Sequence, residues 1–292
     1  MLQLRVPGLD AGRALETRAD LAAQIDEALL LHRESRARWA AEQALPTRLD
    51  ERIDAWLRTE ELEHLDEPDF PEREKVRIAQ GVRLMNTLTF SSRRFLTVLR
   101  PALEEIAARE GRPARVLEIA GGTGGFAMAL AELTQKANLS VEVHGSDIVP
   151  AYVERARTEA AARGLSVPFH LLDATRMEVE DGAYDVVFVA QSMHHFSPGR
   201  LGELIAEAGR VARHSFVGID GYRSLAMVAF VTGSAAFSLH PASMHDAWIT
   251  ARRFYSHAEL EHIARLAAPD AAVRTRRTFI NTVLEVDFRG AS

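Results

Sequence analysis

Apolar residues follow two rhythms along the chain, and the change between them comes near Pro113. Before it they recur at helical spacing: Leu21, Ile25 and Leu29 in one segment, Leu49, Ile53, Trp56 and Leu57 in the next, and Phe95, Val98, Leu99 and Ile106 in a later one. Pro46, the acidic turn EPDFPE and Pro101 punctuate them. After Pro113, the short runs ARVLEIA, VEVHGSD, VPFHLLD, YDVVFVA and SFVGID alternate with helical stretches such as GFAMALAEL, AYVERARTEAAARG and RLGELIAEAGRVAR. Such alternation predicts an α/β fold with a mainly parallel, doubly wound sheet and helices on both faces. Two late runs, AVRTRR and FINTVLEVDF, are joined by so short a link that they are expected to pair antiparallel at one edge. No internal repeat or low-complexity tract interrupts the pattern.

Composition narrows the chemistry. With 292 residues, 47% of them hydrophobic, the chain can bury a substantial core. A formal net charge of −6 gives no global attraction to nucleic acid or to an anionic membrane, and neither is an expected partner. The absence of cysteine excludes disulfides, thiolate nucleophiles and cysteine-ligated metal clusters. The opening MLQLRVPGLDAGR lacks an apolar run of signal-peptide length, which predicts a cytoplasmic protein. Residues 225–239, LAMVAFVTGSAAFSL, fall short of the roughly 20 needed to span a bilayer and read as a buried or lid helix.

The stretch VLEIAGGTGGFAMAL joins the first strand to a helix through Gly121, Gly122, Gly124 and Gly125. In a doubly wound sheet, ligands bind beyond the carboxyl ends of the strands, and glycines let the backbone approach them there. The loop alone also satisfies, loosely, the dinucleotide-binding fingerprint. Further acids separate the readings: Glu118 precedes the glycines, Asp147 ends the second strand and Asp173-Ala174 follows the third. Taken in order, L-E-I-A-G-G-T-G, G-S-D-I, L-D-A and Y-D-V-V-F-V resemble the class I methyltransferases that use S-adenosylmethionine, over residues 115–288.

The resemblance implies a Rossmann-like, seven-stranded sheet with S-adenosylmethionine at the glycine loop. By that likeness Glu118, Ala120, Gly121, Gly122 and Gly124 cradle the methionine portion, Asp147 takes the ribose with Ile148 as a further cofactor contact, Asp173 and the Ala174 N–H read the adenine, and Gln191 lines the methionine end. Ala120 stands where many members have a glycine, and an ordinary backbone conformation is expected there. A narrower likeness, carried by LDEPDFP, VRLMNTLTFSSRRFL and IDGYRSLAMVAF…HDAWITARRFYSHAEL, is to a bacterial group of small-molecule methyltransferases. It implies a helical cap over residues 1–112, a Rossmann-like domain over 113–292, and an insertion at 221–255 that closes over the acceptor. The expected acceptor is a small, largely apolar molecule, aromatic or polyketide-like, methylated on oxygen ahead of nitrogen or carbon. Asn86, Phe90, Met193, Tyr222, Met227, Phe230 and His245 are its candidate contacts, with Leu225, Val228, Val231 and Phe237 as further apolar lining. Under this division, removing residues before Leu88 is expected to leave a sheet domain that still binds cofactor.

Chemistry beyond positioning falls to Met193-His194-His195-Phe196, directly after the fourth strand. A histidine there is competent to take the acceptor's proton near neutral pH, and His195 is preferred to His194; helix capping is the competing role. No metal site is expected, since His245, Asp246 and Asp220 match no established ligand spacing. Two other functions stay open: a protein or tRNA methyltransferase, marked by a basic groove from Arg93, Arg94, Arg252 and Arg253, or a nonmethylating protein that binds the cofactor. A homodimer is compatible with all of them.

Overall fold

The structure is a computed structural model that describes residues 18–67, 69–236, 240–278 and 280–289; the amino-terminal stretch read for targeting and Phe237 lie outside them. The β-rich runs form β1 (Ala114–Glu118), β2 (Val141–Asp147), β3 (Phe169–Leu171), β4 (Tyr184–Ala190), β5 (Ala212–Asp220), β6 (Ala272–Thr278) and β7 (Asn281–Asp287). They pair in one sheet of order β3-β2-β1-β4-β5-β7-β6. Pairs from β3 to β5 are parallel, whereas β7 runs antiparallel to both β5 and β6. The expected late hairpin is therefore present, and it folds back so that β7 lies inside and β6 takes the edge. Strand order reverses between β1 and β4, which opens a crevice at their carboxyl ends.

The helices are α1 (Arg18–Ala41), α2 (Leu45–Leu57), α3 (Glu72–Leu88), α4 (Ser91–Glu110), α5 (Gly125–Lys136), α6 (Pro150–Ala162), α7 (Pro198–Val211), α8 (Leu225–Ala236), α9 (Pro241–Arg253) and α10 (His257–Ala267). Local chemistry sets several of their ends. Pro150 and Pro198 occupy first turns, where a missing N–H costs nothing, and Ser256 with Glu259 forms a capping box at α10. One face of the sheet is covered by α4, α5 and α6, whose Phe95, Leu99, Met128 and Val153 pack on Val116 and Phe188. The other is covered by α1, α7 and α10, whose Ile25, Leu29, Leu204 and Ile263 pack on Leu117 and Val187. A third, smaller core joins Leu57 of α2, Met227 and Val228 of α8, Ala251 of α9, and Phe254.

Two of the helices that precede Pro113, α1 and α4, thus belong to the sheet's own layers, and a deletion before Leu88 takes α1 away from one of them. The α1–α7 contact shows the cause. A Cβ on Gly199 would stand 2.5 Å from the Ala22 carbonyl oxygen, and one on Gly202 would stand 2.1 Å from Ile25 Cδ1, so only glycine admits α1 this closely. Asp26 Oδ1 accepts the Gly199 N–H at 2.7 Å and caps α7 from across the interface. Arg33 of α1 pairs with the buried Glu259 of α10 at 2.7 Å.

His32 of α1 stacks on His262 of α10 with ring centroids 4.5 Å apart, and neither Nε2 has a hydrogen-bond partner. Burial, then the nearby charge of His262 and Arg36, pushes His32 down to about 4, and burial lowers His262 as well. The folded state thus resists a proton that the unfolded chain accepts near pH 6.5. Stability from this contact is complete above that pH and is lost as pH falls toward 4. The melting temperature should drop over that interval more steeply in the wild type than in His32→Phe, and superimposable pH profiles would contradict this account.

Candidate active site

The glycine loop is held from below by two acids. Glu118, the last residue of β1, is buried, and its Oε2 accepts the Ala127 N–H in the first turn of α5 at 2.8 Å. A Cβ on Gly121 would meet its carboxyl at 2.9 Å, so the loop lies directly on that group. Asp147, ending β2, accepts the Gly122 N–H at 2.7 Å through Oδ2 and the Val149 N–H at 2.9 Å through Oδ1. Burial, and secondarily the charge of Asp147, pushes the Glu118 carboxyl up to about 8 against the opposing Ala127 hydrogen bond. A pyrophosphate would bring neither cation nor donor to these acids, whereas a ligand bearing an ammonium group and a ribose diol would supply the charge and donors they lack. That is a fit to S-adenosylmethionine.

The backbone at this edge is strained at two non-glycine positions. Ala120 has φ +50°, contrary to the ordinary conformation expected of it, and Gln191, just past β4, has φ +58°. The Ser192 hydroxyl donates to the Ala120 carbonyl at 3.0 Å and the Gln191 N–H to Ile219 at 2.7 Å, so neighbouring strands hold both turns in place. Ile148 is 60% exposed beside Asp147. Asp173 accepts both the N–H and the hydroxyl of Thr175, at 2.8 and 2.7 Å, and the adjoining Ala174 is buried. Gly124 caps α5 at φ +73°, where a Cβ would strike the Phe169 ring at 2.3 Å.

Beside this edge the turn Met193–His195 separates the two histidines. His194 is buried: its Nδ1 faces Asp220 Oδ2 at 2.9 Å, its N–H donates to the same oxygen at 3.1 Å, and its ring meets Phe254 edge-on at 5.1 Å. Its Nε2 faces Glu63 Oε1 at 3.5 Å. His195, with 32% of its side chain exposed, sets Nδ1 3.0 Å from Asp66 Oδ2. Arg253 donates to Asp66 at 3.0 Å and to the His195 carbonyl at 3.2 Å. Burial pushes the Glu63 carboxyl up to about 7. Burial acts the same way on Asp66, but hydrogen bonds from His195 and Arg253 overcome it and hold that group near 2. A cavity of about 230 Å³ opens at the pair, lined by Arg58, Leu62, His195, Arg223, Arg253 and Tyr255 among others.

Glu63 and Asp66 carry no signal in the sequence. They lie in an acidic, proline-punctuated connector without periodicity, which reads as a solvated turn. In the fold it is tied down, because buried Asp246 of α9 accepts the His64 N–H at 2.8 Å and the Leu65 N–H at 3.1 Å. Of the set His245, Asp246 and Asp220, only the first two meet, with His245 Nδ1 3.1 Å from Asp246 Oδ1, while Asp220 turns to His194 and the His245 ring stacks on His64 with centroids 4.0 Å apart. Met193, expected at the acceptor, is instead 1% exposed in the sheet core. Tyr222 and Met227 pack in the third core, with the Arg277 guanidinium 4.5 Å above the tyrosine ring. Phe230 and Phe90 are exposed at 39% and 63%, and Asn86 is half-buried on α3. The four arginines proposed for a basic groove do not act together: Arg252 donates to the Leu57 carbonyl, Arg253 serves Asp66, Arg94 donates to Ser91 and Arg93 lies over Phe90. No helix among the described residues is long and apolar enough to cross a membrane.

Residues 116–215 match the family described as a methyltransferase domain. A demethylmenaquinone methyltransferase of Thermus thermophilus is 38% identical over 109 residues, 36% of this chain and 48% of that protein. Its counterpart in Deinococcus radiodurans is 39% identical over 99 residues, 34% of this chain and 39% of that protein. The chain therefore spans about half, or less, of the length of these curated relatives. Among solved structures, the plantazolicin methyltransferase BpumL in complex with SAH superposes with a TM-score of 0.56, covering 90% of this chain and 99% of its own at 12% identity, a likeness of fold. These matches show a methyltransferase domain over residues 116–215, on a sheet whose fold is shared with the plantazolicin enzyme.

Proposed function

We propose that the protein transfers a methyl group from S-adenosylmethionine to an oxygen of a small, largely apolar molecule. The observation that carries this reading is the acid-backed glycine loop, to which the Ser192 hydroxyl ties the turn that bears both histidines. When bound, the cofactor supplies an electrophilic methyl on a sulfonium. Glu118 and Asp147 anchor it by its charged and hydroxylated ends, which aims that methyl past the end of β4. Holding donor and acceptor in line at near-contact distance is the largest contribution available to such a displacement.

His195 faces the cavity and activates the acceptor's oxygen, while Asp66 orients its ring. His194, with both ring nitrogens turned to carboxylates, supports it from behind. The connector 58–71 with α2, α3, α8 and α9 acts as the cover that excludes water. The curated relatives are named demethylmenaquinone methyltransferases, which is consistent with an organic small-molecule acceptor.

Cofactor binding is the first test. Asp147→Ala should weaken S-adenosylmethionine binding by about 1.5–3 kcal/mol, the scale for losing hydrogen bonds to a charged acceptor. Titration calorimetry on the full chain measures it. Unchanged affinity, or preferential binding of a nicotinamide dinucleotide, would overturn the assignment.

A further inference from the structure

The histidine turn and the connector above it also form a set of metal ligands. One ligand atom each from Glu63, His194 and His195 lies within 4.8 Å of the other two. Glu63 Oε1 is buried without a hydrogen-bond partner and stands 3.5 Å from His194 Nε2. That separation is too long for a useful hydrogen bond. It matches two donors on one ion, because atoms about 2.0–2.2 Å from a tetrahedral centre stand roughly 3.3–3.5 Å apart.

Both rings are also prepared by a second carboxylate. Asp220 takes Nδ1–H of His194 at 2.9 Å and Asp66 takes Nδ1–H of His195 at 3.0 Å. Each contact selects the tautomer whose Nε2 lone pair points away from the carboxylate, the arrangement found behind metal-bound histidines. In a second cluster, His64, His245 and Asp246, Glu67 likewise faces His64 Nδ1 at 2.9 Å, but the sole carboxylate of the set is already engaged: Asp246 faces His245 Nδ1 at 3.1 Å and both its oxygens accept backbone N–H groups.

We propose that Glu63, His194 and His195 bind a divalent ion of the zinc type, with a fourth position open toward the cavity on the exposed side of His195. Two imidazoles and one carboxylate with an open position are a donor set suited to such an ion acting as a Lewis acid. An acceptor oxygen at that position would lose its proton to solvent more readily, and His195 would then act on the acceptor through the ion rather than as a free base. That catalytic role rests on the methyltransferase reading, whereas ion binding does not.

Titrating ZnCl2 into the chelator-treated full chain tests the site without any acceptor. One ion per chain is expected. Glu63→Gln should weaken binding at least tenfold and Asp66→Asn by roughly tenfold, the usual loss when a supporting carboxylate is removed. S-adenosylmethionine affinity should stay unchanged in both, and Co2+ should give visible bands of a tetrahedral site that Glu63→Gln abolishes. His245→Ala should change nothing. Should Glu63→Gln fail to fold, Asp66→Asn and the Co2+ spectrum decide. Absence of stoichiometric binding, indifference to both carboxylate variants, or loss in His245→Ala instead would each overturn the proposal. A chain that binds Zn2+ but no S-adenosylmethionine would sink the methyltransferase reading and leave the metal site standing.

Discussion

His195→Ala should lower methyl-transfer turnover by about 10²–10⁴-fold, the range for losing a positioned group that handles the acceptor's proton. Cofactor affinity should stay within about twofold of wild type and the melting temperature should fall little, because this ring is partly exposed and meets the buried residues through His194, with ring centroids 4.2 Å apart. Its removal frees Asp66, which keeps its ion pair with Arg253 at 3.0 Å. Asp66→Asn should give a smaller loss, since the imidazole remains but its orientation weakens. Radiolabelled S-adenosylmethionine with a panel of small hydroxylated and carboxylated acceptors provides the assay, and calorimetry the affinity. If turnover fell together with cofactor affinity and stability, His195 would be a structural residue and its assigned role wrong.

Deleting residues 1–41 should leave a chain that does not fold. The deletion removes Ile25 and Leu29, 0% and 1% exposed, and uncovers the glycine face of α7. Truncating a single buried aliphatic side chain costs about 2–5 kcal/mol. Total stability of a domain is about 5–15 kcal/mol, so losing several such side chains at once consumes it. Ile25→Ala alone should remain folded and melt at a lower temperature. Circular dichroism and denaturant melts of both proteins check this; a truncated protein with a cooperative, near-wild-type transition would show that α1 is an accessory.

Much of the cofactor edge is local in the chain, and this is why it was readable. Asp147 closes its strand immediately before Ile148, and the glycines must follow β1 closely, because a strand-to-helix turn against a ligand tolerates little else. The strain at Ala120 was not readable, since distant segments hold its turn: the Ser192 hydroxyl donates to its carbonyl and the next N–H, of Gly121, donates to the Ser146 carbonyl. Met193 shows the converse. Its place after β4 suggested the acceptor, but the side chain turns under the sheet and packs on Gly218, where a Cβ would meet its Sδ at 2.4 Å.

By itself the sequence determined the alternation of strands and helices, the antiparallel hairpin at the end, and the positions of the glycines and acids along the cofactor edge. Each of these is written in periodicity or in spacing within a few residues, where covalent geometry limits the outcome. The tertiary structure alone decided that α1 completes a face of the sheet, and that Glu63 and Asp66 stand over the histidines. An amphipathic helix specifies the face it must bury but not the neighbour that buries it. An acidic connector becomes part of a site only when distant groups, here Asp246, Thr250 and Arg253, hold it there.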